Sequence, residues 1–300
     1  MKKSFLGVFG HTAIDVILQV DCMPVSNTST PVRGKVLKYG GTGANIAKAS
    51  ADLDVPVKLV SFVGGDFPED FHNNLKDAGV DISDMNISEE QRTPTCWIIT
   101  DKEEGQMALI DQGAMDCLDD MPVPLDTVNN CEIIHIGTGS PEYYERVMKA
   151  ATDCTICFDP AQELRYVYTP DIFKRMLNMS DHFFCNRAEY EVALEYLGGD
   201  DPEDILDHVE ILIVTMGKDG SVLYTREGEN AFPTYKPNKI VDPTGAGDAY
   251  RSGFYAGLYR NLPLEECCKA ASARASFALE YSGPQEGHVT WDRVLNRMRK

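Results

Sequence analysis

The stretch Val241-Asp242-Pro243-Thr244-Gly245-Ala246-Gly247-Asp248-Ala249-Tyr250 joins an extended run to a helix. Beyond it, small or apolar residues fall at Ala249, Tyr250, Gly253, Phe254, Gly257 and Leu258, which is a helical stripe. Gly245 and Gly247 let the backbone turn and leave space for a ligand to approach. The first amides of a helix have no internal acceptor, and the helix dipole adds positive potential there. Gly245, Ala246 and Gly247 therefore predict an anion hole built from backbone. Asp248 stands at its rim. A carboxylate beside an anion site is costly unless it has a task, and taking a proton from a hydroxyl that attacks a phosphoryl group is such a task. The plain alternative is an aspartate that caps a helix.

Working outward, strand-like and helix-like segments alternate. Short β-rich runs lie at 4–9, 57–63, 132–136, 155–158, 182–185 and 210–214. Helical patterns lie at 45–53, 69–78, 142–151, 171–179, 188–197 and 202–208. After a run at 222–224 the chain ends helically, at 247–260, 264–280 and 291–299. Strand then helix, repeated, predicts an α/β fold with a mostly parallel central sheet and helices on both faces. Two regions break the rhythm. Residues 13–37 and 95–111 hold extended segments with no helix between them. They predict a small β-sheet lid inserted in one α/β domain spanning 1–300; the alternative makes them edge strands of the main sheet.

Three hundred residues bury enough apolar surface to need no disulfide staples. Lys plus Arg is 28 and Asp plus Glu is 47, a net charge of −19. So acidic a chain repels phosphate backbones and anionic lipid, which excludes a generic nucleic-acid or membrane-surface binder. An anionic ligand must then be met by a local device. No apolar run reaches the length of a membrane span. The apolar stretch after Lys2-Lys3 stops at Gly10-His11, too short for a signal-peptide core, so the cytoplasm is the expected location. Nine cysteines show no framework spacing; Cys154-x-x-Cys157 lacks a second pair, and these read as structural thiols.

Three further segments bear on the chemistry. Tyr39-Gly40-Gly41-Thr42-Gly43-Ala44-Asn45 is a second glycine-rich turn leading into a helix. It is neither a dinucleotide fingerprint nor a Walker A loop. Asn186-Arg187-Ala188-Glu189 follows a strand and places an amide and a carboxylate on one helix face. The two side chains could orient hydrated Mg²⁺ through water, or form a capping box. Thr215-Met216-Gly217-Lys218-Asp219-Gly220 is a turn that could pass under a nucleotide or merely connect strands.

In this order the segments resemble the ribokinase family, the PfkB sugar-kinase group, over nearly the whole chain. Gly40–Asn45 resembles its N-terminal signature, Asp242–Asp248 its C-terminal one, Asn186–Glu189 its Asn-x-x-Glu motif, and Thr215–Gly220 its nucleotide-side loop. Softer stretches at 10–15, 135–139, 158–162, 248–254 and 290–291 are most similar to archaeal broad-specificity nucleoside kinases. One departure is Phe67-Pro68-Glu69-Asp70, where the sugar kinases usually carry a glycine at the start of the helix.

The resemblance implies a ribokinase-like fold and an ATP-dependent kinase that phosphorylates the ribose 5′-hydroxyl of a nucleoside. It implies Asp248 as base and Gly245, Ala246 and Gly247 as the hole for the transferring phosphate. Asp15, Gly41 and Asn45 match acceptor-site positions, and Asn27, Gln106 and Gln162 match polar positions near the acceptor. Asn186 and Glu189 match residues that place Mg²⁺ and phosphates, Glu189 on the metal side. Thr215, Gly217 and Gly220 match positions beside ATP, and Asp242 and Thr244 part of a monovalent-cation site (K⁺). The alternatives are a kinase of a free sugar or sugar phosphate, and a nucleotide-binding module without turnover. A lid of exposed strands leaves open edges, which predicts a homodimer pairing two lids.

Overall fold

The computed structural model describes residues 4–103 and 105–299; the side chain of Gln106 also lies outside the described part. In chain order the strands are β1 (Ser4–Phe9), β2 (Ala13–Val20), β3 (Val32–Gly40), β4 (Val57–Val60), β5 (Phe62–Gly64), β6 (Asn86–Ser88), β7 (Thr95–Thr100), β8 (Gln106–Asp111), β9 (Cys131–Ile136), β10 (Thr155–Phe158), β11 (His182–Asn186), β12 (Ile211–Thr215), β13 (Ser221–Thr225) and β14 (Gly228–Phe232). The helices are α1 (Thr42–Ala51), α2 (Glu69–Asp77), α3 (Leu125–Asn130), α4 (Pro141–Ala150), α5 (Pro170–Leu177), α6 (Arg187–Leu197), α7 (Pro202–Leu206), α8 (Ala246–Tyr259), α9 (Leu264–Ala278) and α10 (Trp291–Met298).

An eight-stranded sheet runs β14-β13-β12-β11-β10-β9-β1-β4. The pairs from β12 through β11, β10, β9 and β1 to β4 are parallel, and β13 and β14 add an antiparallel end. Successive side chains of a strand point to opposite faces, and the two apolar cores follow that period. Ile211 and Ile213 of β12 enter one core with Phe184 of β11 and Cys157 of β10. Leu212 and Val214 enter the other with Phe183, Ile156 and Phe158. Helices α1, α2, α8, α9 and α10 cover the first face, and α3 to α7 the second. The mostly parallel α/β body expected from the alternation is thus present, with both faces buried.

Local chemistry starts and stops the helices. Ser140 caps α4 by accepting from the Tyr143 amide at 3.2 Å, ahead of Pro141. Thr169 does the same for α5, ahead of Pro170. Helix α6 ends on Gly198 at φ 72°, a left-handed conformation that suits glycine. Helices α8 and α9 lie against each other through glycines. A Cβ on Gly253 would come within 2.7 Å of the Ala271 Cα, and one on Gly257 within 2.7 Å of the Cys267 Sγ. That close approach fixes where the N-terminus of α8 stands.

The helix-free segments form a separate four-stranded sheet, β3-β2-β7-β8, so they are not edge strands of the main sheet. It leaves the body after β1 through Gly10-His11-Thr12 and returns through Gly40-Gly41 into α1. Val36, Leu37, Leu109 and Ile110 leave apolar surface exposed on it. Several boundaries depart from expectation. The run at 57–63 divides at Ser61 into β4 and β5, and β5 pairs with β6. Strand β14 is an addition: four of its five residues are exposed, so no apolar alternation marks it. The short 3-10 helices at Gly113–Asp120 and Ala161–Arg165, and α3, also lack a periodic stripe. The nine cysteines are free thiols. Among the described residues, no helix is long and apolar enough to cross a membrane.

Candidate active site

Strand order reverses between β9 and β1: β1 continues to β4 on one side, while β9 leads to β10, β11 and β12 on the other. Open α/β sheets bind ligands at such a point, beyond the carboxyl ends of the strands. His11 follows β1 and Thr138 follows β9. Their side chains bond across the switch point, His11 Nδ1 to Thr138 Oγ1 at 2.8 Å, and Thr138 Oγ1 bonds Thr42 Oγ1 of α1 at 2.7 Å. His11 Nε2 reaches Gln112, which donates to the buried Glu163 at 3.2 Å.

The glycine-rich turns bring two helix N-termini to this crevice. Gly41 has φ 89°, and a Cβ there would press on the backbone of His11 and on the Ala13 amide at 2.7 Å. Gly41 therefore lets α1 start against the crossing between body and small sheet. Gly245 has φ 77° and precedes α8. The Ala246 amide bonds Pro243 O at 3.2 Å, whereas the amides of Gly247 and Asp248 have no acceptor among the described residues. Two backbone donors are thus open at the start of a fourteen-residue helix, at the place where the sequence predicts an anion hole.

Asp248 is half-buried and accepts from Asn45 Nδ2 at 2.8 Å on Oδ2. Burial pushes its carboxyl up to about 7, opposed by the Asn45 hydrogen bond and the Arg251 charge, with Asp159 and Asp15 adding to the rise. Asp15 of β2 is buried with no protein donor among the described residues, and its carboxyl is pushed up to about 6, first by burial and then by Asp242. A group held near neutrality with nothing to bond is suited to meeting a ligand.

A cavity of about 510 Å³ opens on the other side of Gly247. It brings together Thr215, Gly217 and Gly220 with Ala246 and Gly247. Tyr235, Ile240, Ala275 and Leu279 supply apolar walls that the sequence reading did not single out. Asn186 ends β11 directly beside Thr215 at the end of β12. Asn186 and Glu189 form a full capping box. Asn186 Oδ1 accepts the Glu189 amide at 3.0 Å, and the Glu189 carboxylate accepts Asn186 N at 2.8 Å and Nδ2 at 2.7 Å. Burial, then the Asp159 charge, raises the Glu189 carboxyl. Asp242 bridges two loops, accepting from Thr244 N at 2.9 Å and Gly283 N at 3.0 Å.

The remaining expected positions are less engaged. Asn27 lies exposed in the turn after β2 at φ 65°, and Gln162 is exposed in its 3-10 helix. Gln106 opens β8 by its backbone, opposite Thr100, and its side chain lies outside the described residues.

One element had no assigned role in the sequence. Arg251 makes a buried, two-pronged pair with Asp159, Nε to Oδ2 at 2.7 Å and Nη2 to Oδ1 at 3.1 Å. Its Nη1 lies 3.4 Å from Gly247 O. The pair ties the start of α8 to the carboxyl end of β10. An arginine three residues past Asp248, on the buried side of the helix, was the available signal.

Residues 3–291 match the family described as pfkB family carbohydrate kinase. The chain belongs to that family. It is therefore an ATP-dependent kinase with a ribokinase-like fold. This pfkB-family kinase is 37% identical over 301 residues to the nucleoside kinase of Methanocaldococcus jannaschii, covering 100% of this chain and 98% of the relative. It is 33% identical to the nucleoside kinase of Methanothermobacter thermautotrophicus, covering 92% and 89%. The crystal structure of the M. jannaschii nucleoside kinase superposes with a TM-score of 0.93 at 36% identity, covering 99% of each chain.

Proposed function

We propose that this kinase transfers the γ-phosphoryl group of ATP to the 5′-hydroxyl of a nucleoside. The single observation that carries the reading is the convergence of the open amides of Gly247 and Asp248, the Asp248 carboxylate and the unpartnered Asp15 at one crevice. Similarity over 100% and 92% of this chain to two archaeal nucleoside kinases supports the acceptor class.

The steps follow from these groups. ATP lies in the cavity under Thr215, Gly217 and Gly220, its base against Tyr235, Ile240 and Leu279. Its γ-phosphoryl group meets the amides of Gly247 and Asp248, whose dipole favours the charge developing on the equatorial oxygens. Asp15 accepts from the ribose 2′- and 3′-hydroxyls, since a vicinal diol offers two donors to one carboxylate. Gly40 leaves room for the Asp15 carboxylate, on which a Cβ there would press. Gly41 is proposed at the acceptor, Asn45 orients the Asp248 carboxylate, and Asn27, Gln106 and Gln162 are proposed polar contacts of the acceptor. Asp248 takes the 5′-hydroxyl proton as the oxygen bonds to phosphorus and ADP leaves.

Asn186 and Glu189 offer oxygen donors with unused lone pairs, a set that fits Mg²⁺ held through water. Mg²⁺ there supplies positive charge to the phosphates. The loop carrying Asp242 and Thr244, stapled to Gly283, is the proposed place of K⁺. The small sheet acts as a lid, and the apolar surface it exposes is the proposed contact between two copies.

An acceptor screen tests the reading. Nucleosides, ribose and fructose 6-phosphate are each incubated with ATP and Mg²⁺, and products are read by mass. Nucleoside monophosphates are expected. Fructose 1,6-bisphosphate without any nucleotide product would move the protein to the sugar-phosphate kinases.

A further inference from the structure

Three side-chain amides form a chain that ends on Asp248. Asn74 of α2 donates from Nδ2 to Gln285 Oε1 at 3.2 Å. Gln285 Nε2 donates to Asn45 Oδ1 at 3.0 Å, and Asn45 Nδ2 donates to Asp248 Oδ2 at 2.8 Å. Every link runs in the same sense, and chemistry dictates the sense. An ionised carboxylate only accepts, so it must face the NH₂ end of Asn45. The carbonyl end of Asn45 then faces Gln285 and needs a donor, which turns Gln285 so that its own carbonyl faces Asn74. An amide has one donating and one accepting end, so reversing one link places two oxygens, or two NH₂ groups, face to face at the next.

We propose that Asn74 and Gln285 are positioning residues that fix which end of Asn45 faces Asp248, and so hold the base in its productive orientation. The proposal rests on the reading of Asp248 as the base. Neither residue lines the nucleotide cavity. Both line a different cleft of about 280 Å³, shared with Lys38, Tyr39 and Asp70. Gln285 therefore acts from the side of the crevice away from ATP. Its loop is also tied to the small sheet, because the neighbouring Glu286 pairs with Lys38 of β3 at 3.3 Å. The plain alternative is that the Asn74–Gln285 bond merely pins the loop to α2.

The two accounts differ in the order of substitutions. In Asn74→Asp the new carboxylate cannot donate to Gln285. It favours Gln285 turned around, with Nε2 toward that carboxylate, and this in turn reverses Asn45 and presents its oxygen to Asp248. Gln285→Glu starts the same reversal one link nearer. Asn74→Ala only leaves Gln285 Oε1 to water, and the sense of the chain is kept. Exposed Asn73, next to it on α2, gives the charge control Asn73→Asp.

The experiment measures kcat, the KM values for ATP and nucleoside, and the melting temperature for these variants beside Asp248→Asn. Asn74→Asp and Gln285→Glu are expected to lose roughly tenfold to a hundredfold in kcat, the size set by a hydrogen bond to a charged group. The KM for ATP should stay within about twofold, Asn74→Ala should lose less than about threefold, and Asn73→Asp should match the wild type. If Asn74→Asp does not fold, Gln285→Glu reads the same chain. Equal or larger loss in Asn74→Ala, a matching loss in Asn73→Asp, or wild-type kcat in both Asn74→Asp and Gln285→Glu overturns the proposal. Asp248→Asn separates the levels: full activity there removes the base reading itself, whereas lost activity there with unaffected relay variants removes only the relay.

Discussion

Asn45 and Asp248, 203 positions apart in the chain, meet in a 2.8 Å hydrogen bond between the first turns of α1 and α8. The two glycine-rich turns thus belong to one site. Gly41 sets the start of α1 and Gly245 the start of α8, and Asn45 and Asp248, about one turn further on, meet in the same crevice. The bond also opposes burial in setting the Asp248 carboxyl.

The pH dependence follows from that balance. The proposed base, Asp248, can act only when ionised, and its carboxyl is pushed up to about 7. The kcat/KM should therefore fall roughly tenfold per pH unit below about 7 and be flat above it. A break near the ordinary aspartate value of 3.8 contradicts the assignment.

Stability should show the opposite sign. Folded Asp248 and Asp15 hold protons at pH values where the unfolded chain has lost them, with carboxyls at about 7 and about 6 against 3.8. Their contribution favours the fold at low pH and is lost as pH rises through that window. Asp248→Asn should raise the melting temperature of the ligand-free protein at pH 8 and change it less at pH 5. An equal change at both values contradicts the origin in burial.

Asp15 predicts sugar discrimination. A site built to bond a hydroxyl rejects analogues that lack it, because its buried group is left unpaired. Ribonucleosides should exceed their 2′-deoxy forms in kcat/KM by at least about tenfold, and Asp15→Ala should narrow the gap. Comparable kcat/KM for adenosine and 2′-deoxyadenosine removes this role.

The small sheet predicts a hinge. Lids exclude water from phosphoryl transfer, and the sheet joins the body at the glycines of 10 and 40–41. Hydrogen exchange in β2, β3, β7 and β8 should slow when nucleoside binds, while β12 stays unchanged. Gln106→Ala should raise the nucleoside KM and the ratio of ATP hydrolysis to transfer. Exchange that ignores the nucleoside marks a static sheet.

Arg251 and Asp159 predict a stability effect. Both are buried and each is the other's partner. Arg251→Met leaves the Asp159 charge uncompensated, a loss of about 3–5 kcal/mol in urea unfolding. Adding Asp159→Asn should return much of it. A double variant no more stable than the single one shows that the pair does not act as a unit.

Much of this was legible in the sequence, for identifiable reasons. Strands buried on both faces read as short apolar runs, and Gly245 and Gly41 stand where the backbone needs a positive φ. Strand β14 escaped because its exposed edge carries no alternation. The apolar wall at Tyr235, Ile240 and Leu279 of the cavity beside Gly247 escaped because scattered apolar residues look the same in a core and in a pocket. Gln285 and Arg251 escaped for another reason: their partners, Asn45 and Asp159, lie 240 and 92 positions away, and only the fold brings them together.

The central claim is that Asp248 deprotonates a nucleoside 5′-hydroxyl. The direct measurement is phosphorus NMR of adenosine incubated with ATP, Mg²⁺ and either wild type or Asp248→Asn. The account predicts adenosine 5′-monophosphate as the wild-type product, coupled to the 5′-methylene protons, and a rate about 10²–10⁴ lower in the variant with ATP affinity unchanged. Phosphate on another hydroxyl, or a variant that turns over at the wild-type rate, would contradict it.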